Sequence, residues 1–137
     1  MRKLITTTML LLGSATALAA QEPAEKAAPF EVAEAVIATG VVEREPVGVG
    51  TEFPATVGTL YFYTIFTGEF DEARVEHVWL HEDKEMARVP LTVRGPRWRT
   101  WSSKSILPEW TGRWTVRVEG ADGTVLRSTE FTVGVDQ

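Results

Sequence analysis

Apolar and polar residues alternate with a period of two from Val32 onward, and this pattern constrains the fold more than any other feature. The period is that of a half-buried β-strand, and no segment sustains the 3.6-residue period of a helix. Turn residues interrupt it about every eight to twelve positions, the spacing of strands in a sandwich. The sequence therefore predicts an all-β fold: an antiparallel two-sheet sandwich, immunoglobulin-like, with about seven strands.

Two segments have a predicted place in the sheets. Thr59–Thr67 is aromatic and β-branched on both faces, which favours a central strand buried from both sides. Residues 86–93 contain Pro90, which lacks a backbone donor, so this strand is predicted to lie at a sheet edge.

Other segments are predicted from their alternation and their turns. Residues 113–119 form a strand whose Trp114, Val116 and Val118 point inward. Asp122-Gly123 predicts the hairpin that follows it, because glycine adopts the positive φ of tight turns. Residues 45–50 are predicted to be a loop, because proline and glycine break the pattern there.

The composition is that of one globular domain. Of the 137 residues, 44% are hydrophobic and 24% are charged, which excludes disorder of the whole chain. The absence of cysteine excludes disulfides, thiol nucleophiles, cysteine–zinc sites and iron–sulfur centres. The β-sandwich domain is predicted to span residues 31–137.

Residues 1–20 have the three-part layout of a secretory signal peptide. Arg2 and Lys3 precede an apolar run at 4–12, and residues 17–19 read Ala-Leu-Ala before the expected cut. The run is too short for a permanent membrane span. Cleavage would remove two positive charges and change the net charge from −5 to −7. We therefore expect an exported protein, periplasmic or secreted, with a flexible lead at 21–30 and no stable membrane span after cleavage.

Neither the two histidines nor the serines predict a catalytic or metal site. His77 and His81 lie roughly 13 Å apart along one strand, too far to share one metal ion. His77 is expected to be half-buried and hydrogen-bonded across its sheet. Ser102, Ser103 and Ser105 lack the context of a hydrolase nucleophile. Ser102 and Ser103 are instead expected to bond to neighbouring backbone. We expect no catalytic residue, no metal and no cofactor.

Tryptophans and cations interleave between residues 94 and 117, and this cluster has two interpretations. In the first, Trp101, Arg99, Lys104 and Trp110 form a ligand-binding surface that stacks on sugar rings and holds acidic groups. In the second, Trp79, Trp98 and Trp114 fill the core and arginines stack on exposed rings. The structural interpretation is favoured for these last three tryptophans. Nucleic acid is an unfavourable partner for so acidic a chain.

Several short motifs between residues 75 and 133 resemble those of a known family. They lie at 77–79 (His-Val-Trp), at 97–104, at 112–116, at Asp122-Gly123 and at Phe131. This stretch is similar to a bacterial family named domain of unknown function 2914. The resemblance implies an exported or membrane-associated β-rich domain, and it implies no catalytic residues.

The function expected from these observations is a non-catalytic binding or interaction module of the cell envelope, with a protein or a glycan as partner. The first alternative is an enzyme acting on cell-wall sugars, which needs two carboxylates about 5–10 Å apart in one cleft. Glu76, Glu109 and Glu130 are the candidates for such a pair. The second alternative is a purely structural accessory domain.

Overall fold

The computed structural model of the protein describes residues 28–134, which form ten β-strands and no helix. In chain order these are β1 (Glu31–Ala38), β2 (Gly40–Val42), β3 (Glu45–Val47), β4 (Glu52–Phe53), β5 (Thr59–Thr67), β6 (Ala73–His81), β7 (Lys84–Val93), β8 (Arg97–Ser105), β9 (Gly112–Gly120) and β10 (Val125–Val133). The all-β prediction is confirmed. The three strands beyond the predicted seven are the short β2, β3 and β4. Within the described range, no helix is long and apolar enough to cross a membrane.

The strands form two main sheets and a separate hairpin. The smaller sheet has the order β1-β5-β8, and the larger has the order β4-β10-β9-β6-β7. The pairings are antiparallel except for the short β4–β10 pair. β2 and β3 pair with each other and, among the described strands, with no other. Strand β5 is central in the smaller sheet, and β7, which contains Pro90, lies at an edge of the larger sheet. Both placements were predicted.

The core lies between the two main sheets. Phe62 of β5 contacts Trp79 of β6, with 6.4 Å between ring centroids. Trp114, Val116 and Val118 are fully buried, as their alternation on β9 predicted. Trp114 stacks on Phe131 of β10 at 5.9 Å, and Trp98 packs at the margin of the same cluster. The interpretation of Trp79, Trp98 and Trp114 as core residues agrees with this packing.

A phenylalanine just before β1 is buried in the core of the sandwich. Phe30 is buried and contacts the rings of Phe66 and Phe70, each with a centroid distance of 5.3 Å. It stands at the last position of the predicted flexible lead, yet it belongs to the hydrophobic core. The predicted signal peptide and residues 21–27 lie outside the described residues.

The predicted loop at 45–50 is wrong in its first half, because Glu45–Val47 is strand β3. A two-residue turn joins it to β2, and both turn residues have positive φ: 52° at Glu43 and 66° at Arg44. Such turns usually contain glycine or asparagine, so Glu43 and Arg44 carry no recognisable turn signal. The hairpin between β9 and β10 has Gly123 at φ 87°, in agreement with the Asp-Gly prediction.

Candidate functional site

The structure divides the predicted ligand-binding residues into two pairs. Arg99 and Trp101 are both on the outer face of β8, the face turned away from the core. Lys104 occupies an alternate position of the same strand, and its ammonium lies 4.9 Å from the ring centroid of Trp110. Because side chains alternate between faces along a strand, Lys104 cannot share a face with Arg99 and Trp101. Binding by these residues stays a prediction, but they do not form one continuous patch.

Trp101 is held by the residue directly opposite it on β5. Its indole stacks on the ring of Tyr63, with 5.8 Å between centroids and 13° between planes. Trp101 remains half-buried, whereas Tyr63 is only 1% exposed. Cross-strand aromatic pairs of this kind contribute about 0.5–1.5 kcal/mol beyond their buried area. The stack therefore fixes the orientation of the indole and leaves part of it accessible.

The β2–β3 hairpin covers Tyr63 from the other side. The Tyr63 hydroxyl donates to the carbonyl of Arg44 at 2.6 Å. Burial is the main cause that raises the pKa of Tyr63. The Arg99 guanidinium also donates to the Arg44 carbonyl at 3.4 Å and forms an ion pair with Glu45 at 3.0 Å. The hairpin turn is thus anchored on the outer face of the smaller sheet.

This outer face is apolar in its middle and charged toward one end. The register places Val36, Tyr63 and Trp101 in one row across β1, β5 and β8. The next row brings Glu34, Ile65 and Arg99 together. A half-exposed aromatic ring beside a guanidinium is suited to a flat or acidic ligand, because the ring stacks and the guanidinium forms charged hydrogen bonds.

Trp110 and Lys104 occupy a second location, at the loop between β8 and β9. The Trp110 ring lies 6.2 Å from that of Trp114, and the Trp114 indole nitrogen donates to the Trp110 carbonyl at 3.0 Å. Trp110 is half-buried against the core. The Lys104 ammonium covers its ring, so this pair resembles a structural clasp more than an open binding platform.

His77 differs from its prediction in both burial and partners. It is fully buried, and it bonds across the space between the two sheets instead of along its own sheet. Nε2 lies 3.1 Å from the Thr64 hydroxyl on β5, and Nδ1 lies 2.7 Å from the Ser102 hydroxyl on β8. The hydrogen bonds of His77 therefore connect the two sheets. The alternation of apolar and polar residues along one strand does not predict a contact of this kind.

The prediction for Ser102 is also wrong, because its hydroxyl bonds to side chains and not to neighbouring backbone. It accepts the indole N–H of Trp79 at 3.1 Å and contacts His77 at 2.7 Å. Ser102 is 6% exposed, whereas the adjacent Ser103 is exposed on the other face of β8. Burial of Ser102 follows from its position opposite Phe62 on the inner face.

The position of each hydrogen-bonding proton in this network follows from which groups can donate and which can accept. The Trp79 indole can only donate, so the Ser102 oxygen accepts from it. The Thr64 hydroxyl donates to the Thr100 carbonyl at 3.0 Å, so it accepts from His77 Nε2. Nδ1 is then the unprotonated nitrogen and accepts the Ser102 proton. One neutral tautomer of His77 satisfies all these bonds.

A serine beside a histidine invites comparison with a hydrolase, but the surroundings of His77 differ from a catalytic site. Burial lowers the pKa of His77 to about 3. The group at its second nitrogen is the Thr64 hydroxyl, where a hydrolase has a carboxylate that stabilises the charged imidazole. The arrangement thus stabilises a neutral histidine inside the sandwich.

His81 has different partners from His77. Its Nε2 donates to the Thr111 carbonyl at 2.7 Å, and its ring stacks on Trp114 with 4.7 Å between centroids. Among residues 28–134 no group of three or more histidine, aspartate or glutamate side chains could hold a metal ion.

Two of the three candidate carboxylates lie far apart on the larger sheet. Glu76 is on β6 and Glu130 is on β10, with β9 between them. The register puts them opposite Glu119 and Thr115 of β9, so their backbones are about 16 Å apart at ordinary strand spacings. The Glu76 carboxylate is bound by Arg88 of β7, on the side of β6 away from β10, which does not match the roughly 5–10 Å between the carboxyl groups of a glycosidase. Glu109 lies in the loop that follows β8.

An ion-pair network on the outer face of the larger sheet was not predicted. The Arg88 guanidinium bonds to Glu76 at 2.6 Å, to Glu85 at 2.9 Å and to Glu119 at 3.0 Å. These bonds raise the pKa of Arg88, that to Glu85 most. Glu119 is only 6% exposed, beneath Arg88 and Arg117. The alternation along each strand places these charged side chains on the outer face. That they contact one another follows only from the order of the strands in the sheet.

Residues 72–133 match a family described as protein of unknown function (DUF2914). The match covers β6 to β10 and confirms, over these residues, the family that the motifs predicted. The match extends over somewhat less than half of the chain, and the family's description assigns it no activity. No curated protein matches the chain.

The chain is also similar to parts of solved β-glucosidases. A GH3 β-glucosidase of Bifidobacterium adolescentis has a TM-score of 0.44 and 9% identity over 77% of this chain and 17% of that one. A β-glucosidase of Listeria innocua has a TM-score of 0.45 and 9% identity, over 77% of this chain and 16% of that one. The β-glucosidase of Kluyveromyces marxianus has a TM-score of 0.44 and 9% identity, over 76% of this chain and 14% of that one. The chain thus spans less than a fifth of each enzyme, and these similarities carry no argument about activity.

Proposed function

We propose that the domain is a non-catalytic binding module of the cell envelope, with the outer face of the smaller sheet as its binding surface. The observation that carries the proposal is the Tyr63–Trp101 stack beside Arg99. It presents part of an indole in a fixed orientation next to a guanidinium. Preorganised aromatic groups bind at a low entropic cost, because little side-chain freedom is lost on association.

A non-catalytic role is supported by the fact that candidate catalytic side chains are already bonded to other side chains of the domain. The buried His77 is committed to a structural network, and Glu76 is committed to an ion pair with Arg88. The envelope location rests on the signal-peptide pattern of residues 1–20, and the family match adds no activity that would contradict it.

Site-specific photocrosslinking in a Gram-negative host tests the proposal, because a crosslinker captures a bound molecule whatever its identity. Ser103 is exposed on β8 next to Trp101 and is a suitable position for Ser103→p-benzoylphenylalanine. The matched control is Glu130→p-benzoylphenylalanine, at an exposed position on the larger sheet. We expect a discrete adduct from position 103, none from position 130, and loss of the adduct when Arg99→Glu is added.

Equal labelling from both positions, or no adduct from position 103, would contradict the proposed surface. Since Arg99→Glu also removes the ion pair with Glu45, a second variant separates binding from hairpin anchoring. Glu45→Gln breaks the same ion pair but keeps the guanidinium. It is expected to retain the adduct.

A further inference from the structure

Strand β8 is an edge of the smaller sheet, and the direction of its free backbone groups can be derived. Beyond its end, the Ile106 amide donates to the Gly58 carbonyl at 2.7 Å. Residues of an antiparallel strand direct their N–H and C=O alternately toward one neighbour and then toward the other. Even-numbered residues of β8 therefore bond to β5. The odd-numbered residues Arg97, Arg99, Trp101, Ser103 and Ser105 direct theirs away from it.

No strand in the described part of the chain pairs with this free edge. The other edges are protected in different ways. At β1, the Ile37 carbonyl accepts from Gly50 and the Val32 carbonyl accepts from Arg127. Strand β7 contains Pro90, and β4 is two residues long. Among residues 28–134, the outward-directed donors and acceptors of this nine-residue strand have no backbone partner, and such an edge can template another strand.

Charge determines which strand this edge would accept. Strand β8 contains Arg97, Arg99 and Lys104 and no acidic residue, within a chain of net charge −5. Two copies of β8 would repel each other, so self-pairing is disfavoured. An acidic strand would be attracted. Arg97 is exposed and forms no ion pair in the described residues, so it is available to such a partner.

We propose that the β8 edge binds an extended acidic segment of another protein as an added β-strand. Backbone hydrogen bonds to the five odd-numbered residues supply the affinity, as in β-strand addition generally. Alternate acidic side chains of the segment face Arg97 and Arg99 on the outer surface, beside Trp101. This inference rests on the proposed function, because it names the partner chemistry of the same surface.

The first test uses the ¹⁵N-labelled protein and a ten-residue blocked peptide of alternating Glu and Val as the probe. Hydrogen exchange is followed for each amide of β8 with and without the peptide. The amides of the five odd-numbered residues are expected to slow at least about tenfold, while the even-numbered ones, already bonded to β5, change little. A peptide of alternating Lys and Val is the charge control and should give no protection.

Two variants at one exposed position test the backbone contact. Ser103→Pro removes the free N–H, whereas Ser103→Thr keeps it on the same strand and face. Binding of the Glu–Val peptide should be lost in the proline variant and kept in the threonine variant, with near-ultraviolet circular dichroism confirming that both fold. Arg97→Glu should weaken binding about two- to fivefold, the range for an exposed ion pair.

Absence of protection in the wild-type protein at millimolar Glu–Val peptide would overturn the inference, and so would equal protection by both peptides. Those results do not depend on a variant that folds. If they occur while position 103 still gives a photocrosslinked adduct, strand pairing is excluded and the proposed binding surface stands. If the adduct is absent as well, both are overturned.

Discussion

His77 on β6 and Ser102 on β8 meet across the interior of the sandwich, with 2.7 Å between Nδ1 and Oγ. The two strands belong to different sheets, so this bond fixes one layer relative to the other. Trp79 and Thr64 complete the hydrogen bonding of the pair. A buried polar network that is fully satisfied favours one packing of the core over its alternatives.

Removal of the Ser102 hydroxyl is expected to destabilise the domain. Ser102→Ala leaves the Trp79 N–H without an acceptor and His77 Nδ1 without a donor, which costs about 1–3 kcal/mol. The adjacent Ser103→Ala is the matched control and should change the free energy of unfolding by less than about 0.5 kcal/mol, because its side chain is exposed. Urea denaturation of the two variants measures both, and equal effects would contradict the network.

The stability of the domain should fall as the solution becomes acidic, through His77. Burial lowers its pKa from 6.5 to about 3, so the unfolded chain binds a proton that the folded protein excludes. The contribution is complete above pH 6.5 and is lost as the pH falls toward 3, by about 3 kcal/mol between pH 6.5 and pH 4.

The measurement for His77 is the free energy of unfolding in urea at pH 7 and at pH 4. Carboxylates also change stability in this range, and comparison with His77→Gln removes their shared contribution. The wild-type protein should lose more stability than the variant over the same interval. Parallel losses in the two proteins would show that His77 does not titrate on unfolding.

Truncation of two tryptophans should separate core from surface. Trp114→Ala removes a fully buried side chain that contacts Phe131 and His81, and it is expected to cost about 3–5 kcal/mol. Trp101→Ala removes a half-buried ring and is expected to cost about 1–2 kcal/mol. Chemical denaturation gives both values. A loss below about 1 kcal/mol for Trp114→Ala would place that residue outside the core.

The turn of the β2–β3 hairpin offers a stabilising change. Glu43 and Arg44 both adopt positive φ, which side-chain-bearing residues disfavour. Replacement by Glu43→Asn with Arg44→Gly should raise the stability by about 1 kcal/mol, since Asn-Gly suits this turn and the carbonyl bonded to Tyr63 is kept. The control pair Glu43→Gln with Arg44→Lys should give no gain. An unchanged melting temperature in the Asn-Gly protein would indicate that the turn is not strained.

Export makes a prediction about the mature N-terminus. If a signal peptide is cut off after Ala19 or Ala20, the purified protein begins at Ala20 or Gln21. Intact-mass spectrometry of protein from an exporting host measures this directly. A mass that retains Met1 would contradict export by this route.

Prediction from the sequence succeeded where the signal is local. The alternation on β9 identified Trp114, Val116 and Val118 as inward-facing, and Asp122-Gly123 identified its hairpin. It failed where the partner is distant in sequence. Ser102 lies 25 residues from His77, and no periodicity shows that a serine will face a histidine of the other sheet.

The candidate site was predicted only in part, for a related reason. Trp101 and Arg99 share a face because of the strand period, which the sequence contains. Tyr63 stacks on Trp101 because β5 pairs with β8. The Arg44 carbonyl bonds to the Tyr63 hydroxyl because of the β2–β3 hairpin, whose turn has no recognisable sequence signal. Strand order and turn conformation decide both contacts, and neither follows from local alternation.

The proposed surface requires that part of the Trp101 ring is accessible to solvent, while Trp79 and Trp114 are buried in the core. Acrylamide quenching of tryptophan fluorescence tests it in Trp98→Phe/Trp110→Phe protein, with and without Trp101→Phe. We expect Trp101 to carry the red-shifted, quenchable emission, and its removal to leave a blue-shifted, protected signal. Emission that is blue-shifted and protected before Trp101 is removed, and unchanged afterwards, would contradict the proposed surface.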